Sequence, residues 1–269
     1  MRSTHMDEPT YYPIGHFHSP VPSQEDIARY FENNTGNDEL LGVDLNMAEQ
    51  LSHLEKIRGF YEEYPWGGEK KENLAYYYQN NAFGKNDSFE IYSFMRLYRP
   101  KKIIEIGSGF STAAMYDTNK LFLNNETEIV CIEPYPDRLI DLLGEDAPTL
   151  YPIVLQNVNL NIFSGLRGGD ILFIDSTHVT KLNSDVNRII FDILPRLSKG
   201  VIIHFHDIVY PFTYPDLWIK QNWAWNETYI LRAFLQFNST FKIIYWSTCL
   251  SAQKIDLPIS GSIWLTKNV

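Results

Sequence analysis

The stretch IIEIGSGFSTAAM, residues 103–115, passes from an apolar run through two glycines into the start of a predicted helix. Gly107 and Gly109 allow a sharp turn, and they leave bare backbone that a ligand can approach. The first N–H groups of the following helix can bind an anionic group. A dinucleotide-binding fingerprint has a third glycine where this chain has Thr112, which argues against a diphosphate ligand. A tight turn without any ligand is the competing interpretation.

Apolar runs and helical patterns alternate along the chain around this turn. Seven short apolar runs are predicted strands: 102–106, 128–133, 152–156, 170–175, 200–206, 241–246 and 261–266. The predicted helices that separate most of them lie at 87–98, 111–121, 136–143, 159–165, 183–197 and 226–237. This alternation predicts an α/β fold with a mostly parallel sheet and helices on both faces. The last two runs are joined by a predicted loop without a helix, which suits an antiparallel hairpin at the end of the sheet.

The chain before this regular region has a different character. Residues 1–85 are predicted to form an N-terminal cap, partly irregular, on a main domain of residues 86–269. Apolar spacing within the cap predicts helices at 24–33 and 44–63. The first six residues, 1–6, read MRSTHM and are typical of an expression-tag remnant, with the native chain starting at the second methionine.

The composition excludes several function classes. The formal net charge is −10, so the surface repels phosphate backbones and no nucleic acid is expected as a partner. No run of about 18 or more apolar residues occurs, so no membrane association is expected. Cys131 and Cys249 cannot build a disulfide framework or a thiolate zinc site; with no apolar leader, they predict a cytoplasmic protein. The 17 Tyr, 16 Phe and 6 Trp favour an aromatic pocket or a homo-oligomeric interface.

Polar side chains stand at the ends of four successive predicted strands. Glu105 precedes the glycine turn, Glu133 ends the second run, Gln156 and Asn157 end the third, and Asp175 ends the fourth. Ligands of open α/β sheets bind in the crevice outside the carboxyl ends of the strands. The sequence therefore predicts a cofactor site at this edge.

The ordered motifs carry a family resemblance. EIGSGFST, CIEPYP, GDILFIDSTHV and GVIIHFHDI resemble the successive motifs of class I S-adenosylmethionine-dependent methyltransferases, and especially the subgroup called methyltransferase family 24. The likeness extends to GHFHSPVP, YPFTYPDLW and WNETYILRAFLQFN, so it covers nearly the whole chain. It implies a Rossmann-like, seven-stranded, mostly parallel sheet whose last strand is antiparallel.

The same resemblance implies that the cofactor is S-adenosyl-L-methionine. It also implies a set of cofactor-binding residues: Glu105, Gly107, Ser108, Gly109, Glu133, Asn157 and Asp175. Within that set the glycines would face the methionine end of the cofactor. Glu133 would hold the ribose, Asn157 the adenine, and Asp175 would lie near the sulfonium and the substrate.

Methyl transfer to a hydroxyl group also needs a way to remove the hydroxyl proton, either a base or a metal ion. The stretch HFHDI places His206 and Asp207 at the mouth of the crevice, beside Asp175 on the neighbouring strand. His178 follows Asp175 by three residues. His204 shares a strand face with His206 but lies deeper, where a structural role is expected.

Three interpretations of these residues remain open. In the first, Asp175, His206 and Asp207 bind a divalent metal ion, and the histidine favours an ion softer than magnesium. In the second, His206 or His178 is a metal-free general base, with Asp175 as the third catalytic residue. In the third, the histidines are hydrogen-bonded structural residues.

The expected reaction is methyl transfer from S-adenosylmethionine to a hydroxyl oxygen of a small molecule such as a sugar, a glycan or a natural product. The segment 208–226 is rich in Pro and aromatic residues, so it is predicted to fold over the crevice without a helix. Another wall of an aromatic substrate pocket is expected from Tyr11, Tyr12, His16, Phe17 and His18. Methyl transfer to nitrogen or carbon stays open, and the alternatives to a methyltransferase are a nicotinamide-dependent oxidoreductase and a non-catalytic nucleotide-binding module.

Overall fold

The computed structural model describes residues 10–33 and 39–269, so the predicted tag remnant lies outside the described residues. Within these ranges one sheet has seven strands: β1 (Lys102–Ile106), β2 (Glu128–Ile132), β3 (Thr149–Tyr151), β4 (Ile171–Ile174), β5 (Ile202–Phe205), β6 (Phe241–Trp246) and β7 (Ile263–Lys267). Their order is β3-β2-β1-β4-β5-β7-β6. The strands β7 and β5 are antiparallel, as are β7 and β6, and the remaining pairs are parallel. The predicted Rossmann-like architecture is confirmed.

Helices cover both faces of the sheet. In the described part of the chain the α-helices are α1 (Gln24–Asn33), α2 (Met47–Arg58), α3 (Lys85–Tyr98), α4 (Phe110–Phe122), α5 (Asp137–Leu143), α6 (Asp185–Arg188), α7 (Asp216–Lys220), α8 (Glu227–Leu235) and α9 (Ser247–Ala252). No helix among these is long and apolar enough to cross a bilayer. Helix α2 packs on β6, and its N-cap residue Asn46 donates a side-chain hydrogen bond to the carbonyl of Ile243. The division into a cap and a main domain stays a prediction.

Alternate residues of β1 enter two different cores. Ile103 packs in the cluster that contains residues of α3 and α4, whereas Ile104 and Ile106 pack in the cluster that contains residues of α6 and α8. Burying each such side chain contributes about 1.5–3 kcal/mol, which is why a strand covered on both faces is rich in apolar residues. Because β1, β2, β4 and β5 are parallel, the residues that follow them gather at one edge.

The third strand differs from its prediction. It was expected at 152–156, but β3 is Thr149–Tyr151, and it pairs with Val130–Ile132 of β2. Pro152 follows β3 directly and has no N–H to donate to a ladder. The chain beyond it forms a 3₁₀ turn at Leu155–Asn157 instead of a strand.

Several predicted helices also differ. The segment 159–165 is a 3₁₀ helix at Leu160–Gly165, and the prediction 183–197 is only α-helical at α6. A wider π turn at Ile189–Ile193 follows α6, and Pro195 lies in the last turn, where its missing N–H prevents an α-helical hydrogen bond.

Two segments that were predicted to lack helices contain short ones. Helix α7 lies inside 208–226, where it starts after Pro215 with Asp216 in its first turn. That arrangement favours helix initiation despite the surrounding aromatics. Helix α9 follows β6 directly, in the connection to β7 that was predicted to be a loop.

Candidate functional site

The glycine turn is held between the ends of three strands. The N–H of Gly107 donates to the carbonyl of Ile132, and the N–H of Asp175 donates to the carbonyl of Ile106. Gly107 has φ +82°, and a Cβ at this position would lie 1.9 Å from the carbonyl oxygen of Asp175. The turn therefore requires glycine at 107 for both conformation and space.

Thr112 explains how the turn works without a third glycine. Its hydroxyl accepts a hydrogen bond from the N–H of Gly109 at 3.0 Å and donates one to the Glu105 carboxyl group. Ser111 donates a second hydrogen bond to Glu105 at 2.6 Å. Burial raises the pKa of Glu105 to about 7, and the hydroxyl donors only partly offset that rise. Glu105 was predicted to bind the cofactor. Its carboxyl group instead accepts hydrogen bonds from Ser111 and Thr112 within the turn, and it lines neither of the two cavities at this edge of the sheet.

In the part of the chain that the structure describes, two adjoining cavities open at the carboxyl edge of β1, β2 and β4. The larger has a volume of about 310 Å³, and the smaller of about 250 Å³. Both are lined by Gly107, Glu133, Asp175 and Ser176. The two cavities are therefore compartments of one crevice, and three of the predicted cofactor-binding residues lie where the compartments meet.

The two compartments have different linings. Gln156, Thr177 and Asp185 line only the larger one, whereas Ser108, Gly109, Ser111 and Arg138 line only the smaller one. Between them the Glu133 carboxylate accepts hydrogen bonds from the N–H groups of Ser108 at 3.1 Å and Tyr135 at 2.8 Å. Each carboxylate oxygen keeps a second lone pair for a ligand hydroxyl.

Asn157 lies outside this crevice. It is exposed and lines neither cavity, whereas its neighbour Gln156 lines the larger one. Gln156 donates through Nε2 to the carbonyl of Asn183 at 2.8 Å, so its amide orientation is fixed. The two amides stand side by side in the sequence, and only the 3₁₀ turn at 155–157 determines which of them faces the crevice.

A cluster of charged side chains adjoins Asp175. Asp175 Oδ1 lies 3.4 Å from His178 Nε2 and 3.6 Å from His206 Nδ1. Asp207 Oδ2 lies 3.7 Å from His178 Nε2 and 3.5 Å from His206 Nδ1. The structure thus brings together all four residues that the sequence placed at the mouth of the crevice.

Glu227, at the start of α8, holds His178 in place. Glu227 Oε2 lies 2.8 Å from His178 Nδ1, and Glu227 Oε1 accepts a hydrogen bond from Ser176 at 3.0 Å. The carbonyl of His178 also accepts from the N–H groups of Asn226 and Glu227. Burial alone would lower the pKa of His178, but its contacts with Asp175 and Glu227 outweigh burial and raise that pKa to about 10.

His206 sits among carboxylates without a close hydrogen bond. Neither ring nitrogen has a hydrogen-bond partner among the described residues, although Asp87 Oδ1 lies 3.6 Å from Nε2. Burial would lower the His206 pKa, but the charges of Asp175 and Asp207 raise it well above its usual range. In turn, His206 and His178 overcome the burial of Asp175 and hold the pKa of that carboxyl well below its usual range.

Sequence reasoning missed Asp87 and Glu227. Asp87 is in the first turn of α3, where its carboxylate accepts hydrogen bonds from the N–H groups of Gly84 and Gly261. Both acids begin helices, so their positions are explained by capping and helix dipoles, and nothing in the sequence indicates a shared site. His204, by contrast, is buried, hydrogen-bonded to Ser262 and stacked on Phe173, as a structural histidine would be.

The predicted metal site does not fit a metal. In residues 10–33 and 39–269, no group of three or more His, Cys, Asp or Glu side chains is arranged to hold an ion. Asp175, His206 and Asp207 do come together, but His206 Nδ1 lies 3.6 Å from Asp175 Oδ1 and 3.5 Å from Asp207 Oδ2, so the three side chains are spaced as ion pairs with one another.

Comparisons with known proteins identify relatives of this chain. The family described as a methyltransferase domain matches residues 104–208, the segment that runs from β1 past β5. An uncharacterized protein of Archaeoglobus fulgidus is 39% identical over 164 residues, a match that covers 58% of this chain and 74% of that protein. Residues 104–208 therefore belong to the methyltransferase-domain family.

This methyltransferase is also similar to solved structures. One is the SAH-bound Podospora anserina methyltransferase PaMTH1, at 16% identity and a TM-score of 0.46, covering 97% of this chain and 99% of that chain. Another is the O-methyltransferase TomG from Streptomyces achromogenes, involved in tomaymycin synthesis and solved with SAM. It has 15% identity and a TM-score of 0.45, covering 81% of this chain and 90% of that chain.

The polar groups of the crevice suit S-adenosylmethionine, the cofactor that the sequence motifs imply. S-Adenosylmethionine carries a sulfonium cation, a carboxylate and an ammonium group. The Asp175 and Glu133 side chains, shared by both cavities, supply negative charge, and Arg138 supplies a cation in the smaller cavity. Ser108 lines the smaller cavity, and its buried hydroxyl has no hydrogen-bond partner among the described residues.

Proposed function

We propose that this methyltransferase transfers a methyl group from S-adenosylmethionine to a hydroxyl oxygen of a small molecule, with His178 accepting the hydroxyl proton. One observation carries the proposal. Glu227 is hydrogen-bonded to His178 Nδ1 at 2.8 Å, and His178 Nε2 lies 3.4 Å from Asp175, which lines both compartments of the crevice.

The cofactor assignments follow from the linings. The Gly107 turn and the free Ser108 hydroxyl would hold the methionine end in the smaller cavity. Glu133, between the cavities, would accept the ribose hydroxyls. Gln156, which lines the larger cavity, would stand near the adenine in the place expected for Asn157.

When bound, S-adenosylmethionine supplies a methyl carbon already activated by the sulfonium, so the protein must position the acceptor and remove a proton. Glu227 accepts the Nδ1–H of His178 and thereby leaves Nε2 as the nitrogen that takes a proton. Because the His178 pKa is about 10 in the free protein, the ring is protonated at neutral pH. A positive charge placed beside Asp175 lowers that pKa and favours the neutral ring.

Two measurements test the proposal. First, thermal unfolding is followed with S-adenosylmethionine, S-adenosylhomocysteine or NAD; the first two are expected to raise the Tm by mass action, and NAD is not. Second, the protein is incubated with a cofactor whose methyl group carries ¹³C, together with cell extract fractions. A product whose labelled carbon has the chemical shift of a methyl ether supports the proposal, and label found only on nitrogen or carbon overturns it.

A further inference from the structure

A third cavity lies on the far side of His178. It has a volume of about 400 Å³ and is built by the segment 208–226 together with residues near the start of α1. Five of its lining residues are aromatic: Tyr214, Trp218, Trp223, Trp225 and Tyr229. Half of the tryptophans in the chain are in this one wall, and the crevice residues around Asp175 do not use them.

Trp225 connects this aromatic cavity to the catalytic cluster. Its ring lies 4.2 Å, centroid to centroid, from the ring of His178. The next residue, Asn226, fixes the segment by accepting from the N–H of Thr180 at 2.6 Å and donating to the carbonyl of Thr180 at 3.3 Å. A molecule in the cavity is therefore separated from His178 by a single indole ring.

The tryptophans form a closed platform and not an open cage. Trp218 and Trp223 are stacked at 4.7 Å with an angle of 6° between their planes. Trp225 meets Trp223 at 4.9 Å and Trp218 at 5.4 Å, at steep angles. An aromatic cage for an ammonium group needs rings that surround the cation, and these rings already contact one another. Their outer faces remain for a ligand to stack on.

The polar groups of the cavity favour a neutral ligand that donates hydrogen bonds. None of the described lining residues is Lys or Arg, so an anionic ligand has no partner there. The carboxylate of Asp26 is already bonded to the Ser23 hydroxyl and to Arg29. Asn222 Oδ1, in contrast, is buried and has no hydrogen-bond partner among the described residues. An unpaired buried carbonyl is costly unless a ligand satisfies it.

We propose that the aromatic cavity binds a neutral pyranose ring that is part of the methyl acceptor, which rests on the proposed function. The C–H face of the sugar stacks on the tryptophan platform. Asn222 Oδ1, which is shielded from solvent in the free protein, accepts a hydrogen bond from a sugar hydroxyl once its side chain rotates into the cavity. The volume of about 400 Å³ accommodates more than one sugar ring, so the acceptor is a glycoside or an oligosaccharide. The ring in the cavity is the recognised unit, and the hydroxyl that receives the methyl group lies on the other side of Trp225.

Saturation-transfer NMR on the full chain tests this assignment without any turnover. The probes are methyl α-D-glucopyranoside, methyl α-D-galactopyranoside and methyl α-D-mannopyranoside, each with and without S-adenosylhomocysteine. Tetramethylammonium and phenol serve as the cationic and flat aromatic comparisons. Signal transfer to the ring protons of at least one pyranoside, and none to tetramethylammonium, is expected.

Two variants locate the binding. Trp223→Ala removes part of the platform, and Asn222→Gly removes the amide while tolerating φ +55° at that position. Both are expected to weaken pyranoside binding by about tenfold or more, equivalent to about 1.4 kcal/mol. Tyr11→Ala, at a residue that is 91% exposed and lines none of the cavities above, is the matched control and should bind normally. Cofactor binding should be unchanged in all three.

The outcomes separate this inference from the proposed function. Transfer to no pyranoside, preferential transfer to tetramethylammonium or phenol, or undiminished transfer in both cavity variants overturns the inference. If a pyranoside binds in the cavity but the isolated methylated product carries no sugar, the acceptor assignment is wrong while methyl transfer stands. If a pyranoside binds but no methyl ether forms with any extract, the proposed function fails and the ring-binding cavity remains.

Discussion

Glu227 Oε2 and His178 Nδ1 lie 2.8 Å apart, and both side chains are buried. This pair joins the start of α8 to the chain just beyond β4, two segments that are 49 residues apart. Because Nδ1 is committed to Glu227, the other ring nitrogen faces Asp175 and Asp207. A carboxylate that orients an imidazole in this way fixes its tautomer and makes it a better proton acceptor.

The activity is expected to rise with pH as His178 loses its proton. Replacing Glu227 with Gln removes a negative charge from His178, so the His178 pKa falls and the rising limb of kcat against pH moves to lower pH, by about one pH unit or more. The plateau value of kcat falls as well, because the ring is less well oriented. Initial rates measured across the pH range in the ¹³C-methyl assay check this.

Asp87→Asn is the matched control for that experiment. Asp87 lies near His206 and has no contact with His178, so this variant should leave the position of the limb unchanged. If the rising limb of kcat against pH moves in Asp87→Asn but stays in place in Glu227→Gln, the general base is His206 and not His178.

The same pair predicts how stability depends on pH. The His178 pKa is raised from 6.5 in the unfolded chain to about 10 in the folded protein. Protonation therefore stabilises the fold fully below pH 6.5, and that contribution is lost as the pH rises through about 10. The Tm of the wild-type protein should fall as the pH rises from 6.5 to about 10. The Tm of Glu227→Gln should fall less steeply over the same pH range. Equal slopes for the two proteins would contradict the assigned pKa.

Much of the fold was predictable, because buried strands are largely apolar runs of the right length. The structure has β1 and β6 at their predicted bounds, 102–106 and 241–246. The third strand was predicted at 152–156 because the apolar residues after Pro152 resemble a strand. The pairing with β2 ends at Tyr151, before those residues begin. Local hydrophobicity does not reveal where a ladder stops.

The site was predictable only where the sheet itself assembles it. Asp175, His178, His206 and Asp207 follow neighbouring parallel strands, and parallel strands end at a common edge. Asp87 and Glu227 begin helices, and helix packing brings them to that edge. The tryptophan platform was expected only as an aromatic wall. The five N-terminal residues that were expected to form another wall contact one another and do not line the aromatic cavity. They are Tyr11, Tyr12, His16, Phe17 and His18.

Gly107→Ala is expected to abolish cofactor binding and to destabilise the fold. The new methyl group would lie 1.9 Å from the carbonyl oxygen of Asp175, at a position with φ +82°. To remove this clash, the ends of β1 and β4 must move apart. Holding alanine in this backbone conformation costs a further penalty of about 1–3 kcal/mol, the usual one for a residue other than glycine. The control is Gly165→Ala, where a Cβ meets nothing within 4 Å and little change is expected. Urea unfolding and cofactor titration measure both effects, and normal cofactor affinity in Gly107→Ala would contradict the described turn.

Activity is expected to survive exhaustive chelation. The rings of His178 and His206 occupy the space among Asp87, Asp175, Asp207 and Glu227, with ring nitrogens 2.8–3.6 Å from these carboxylates, where a metal ion would otherwise have to lie. Removing divalent ions therefore leaves the arrangement intact, so the initial rate after dialysis against a chelator should equal the untreated rate. Adding back Mg²⁺, Mn²⁺ or Zn²⁺ should not increase it. A rate that disappears on chelation and returns with one of these ions would mean that His206 gives up its proton to bind that ion, and the proposed role of His178 would then have to be abandoned.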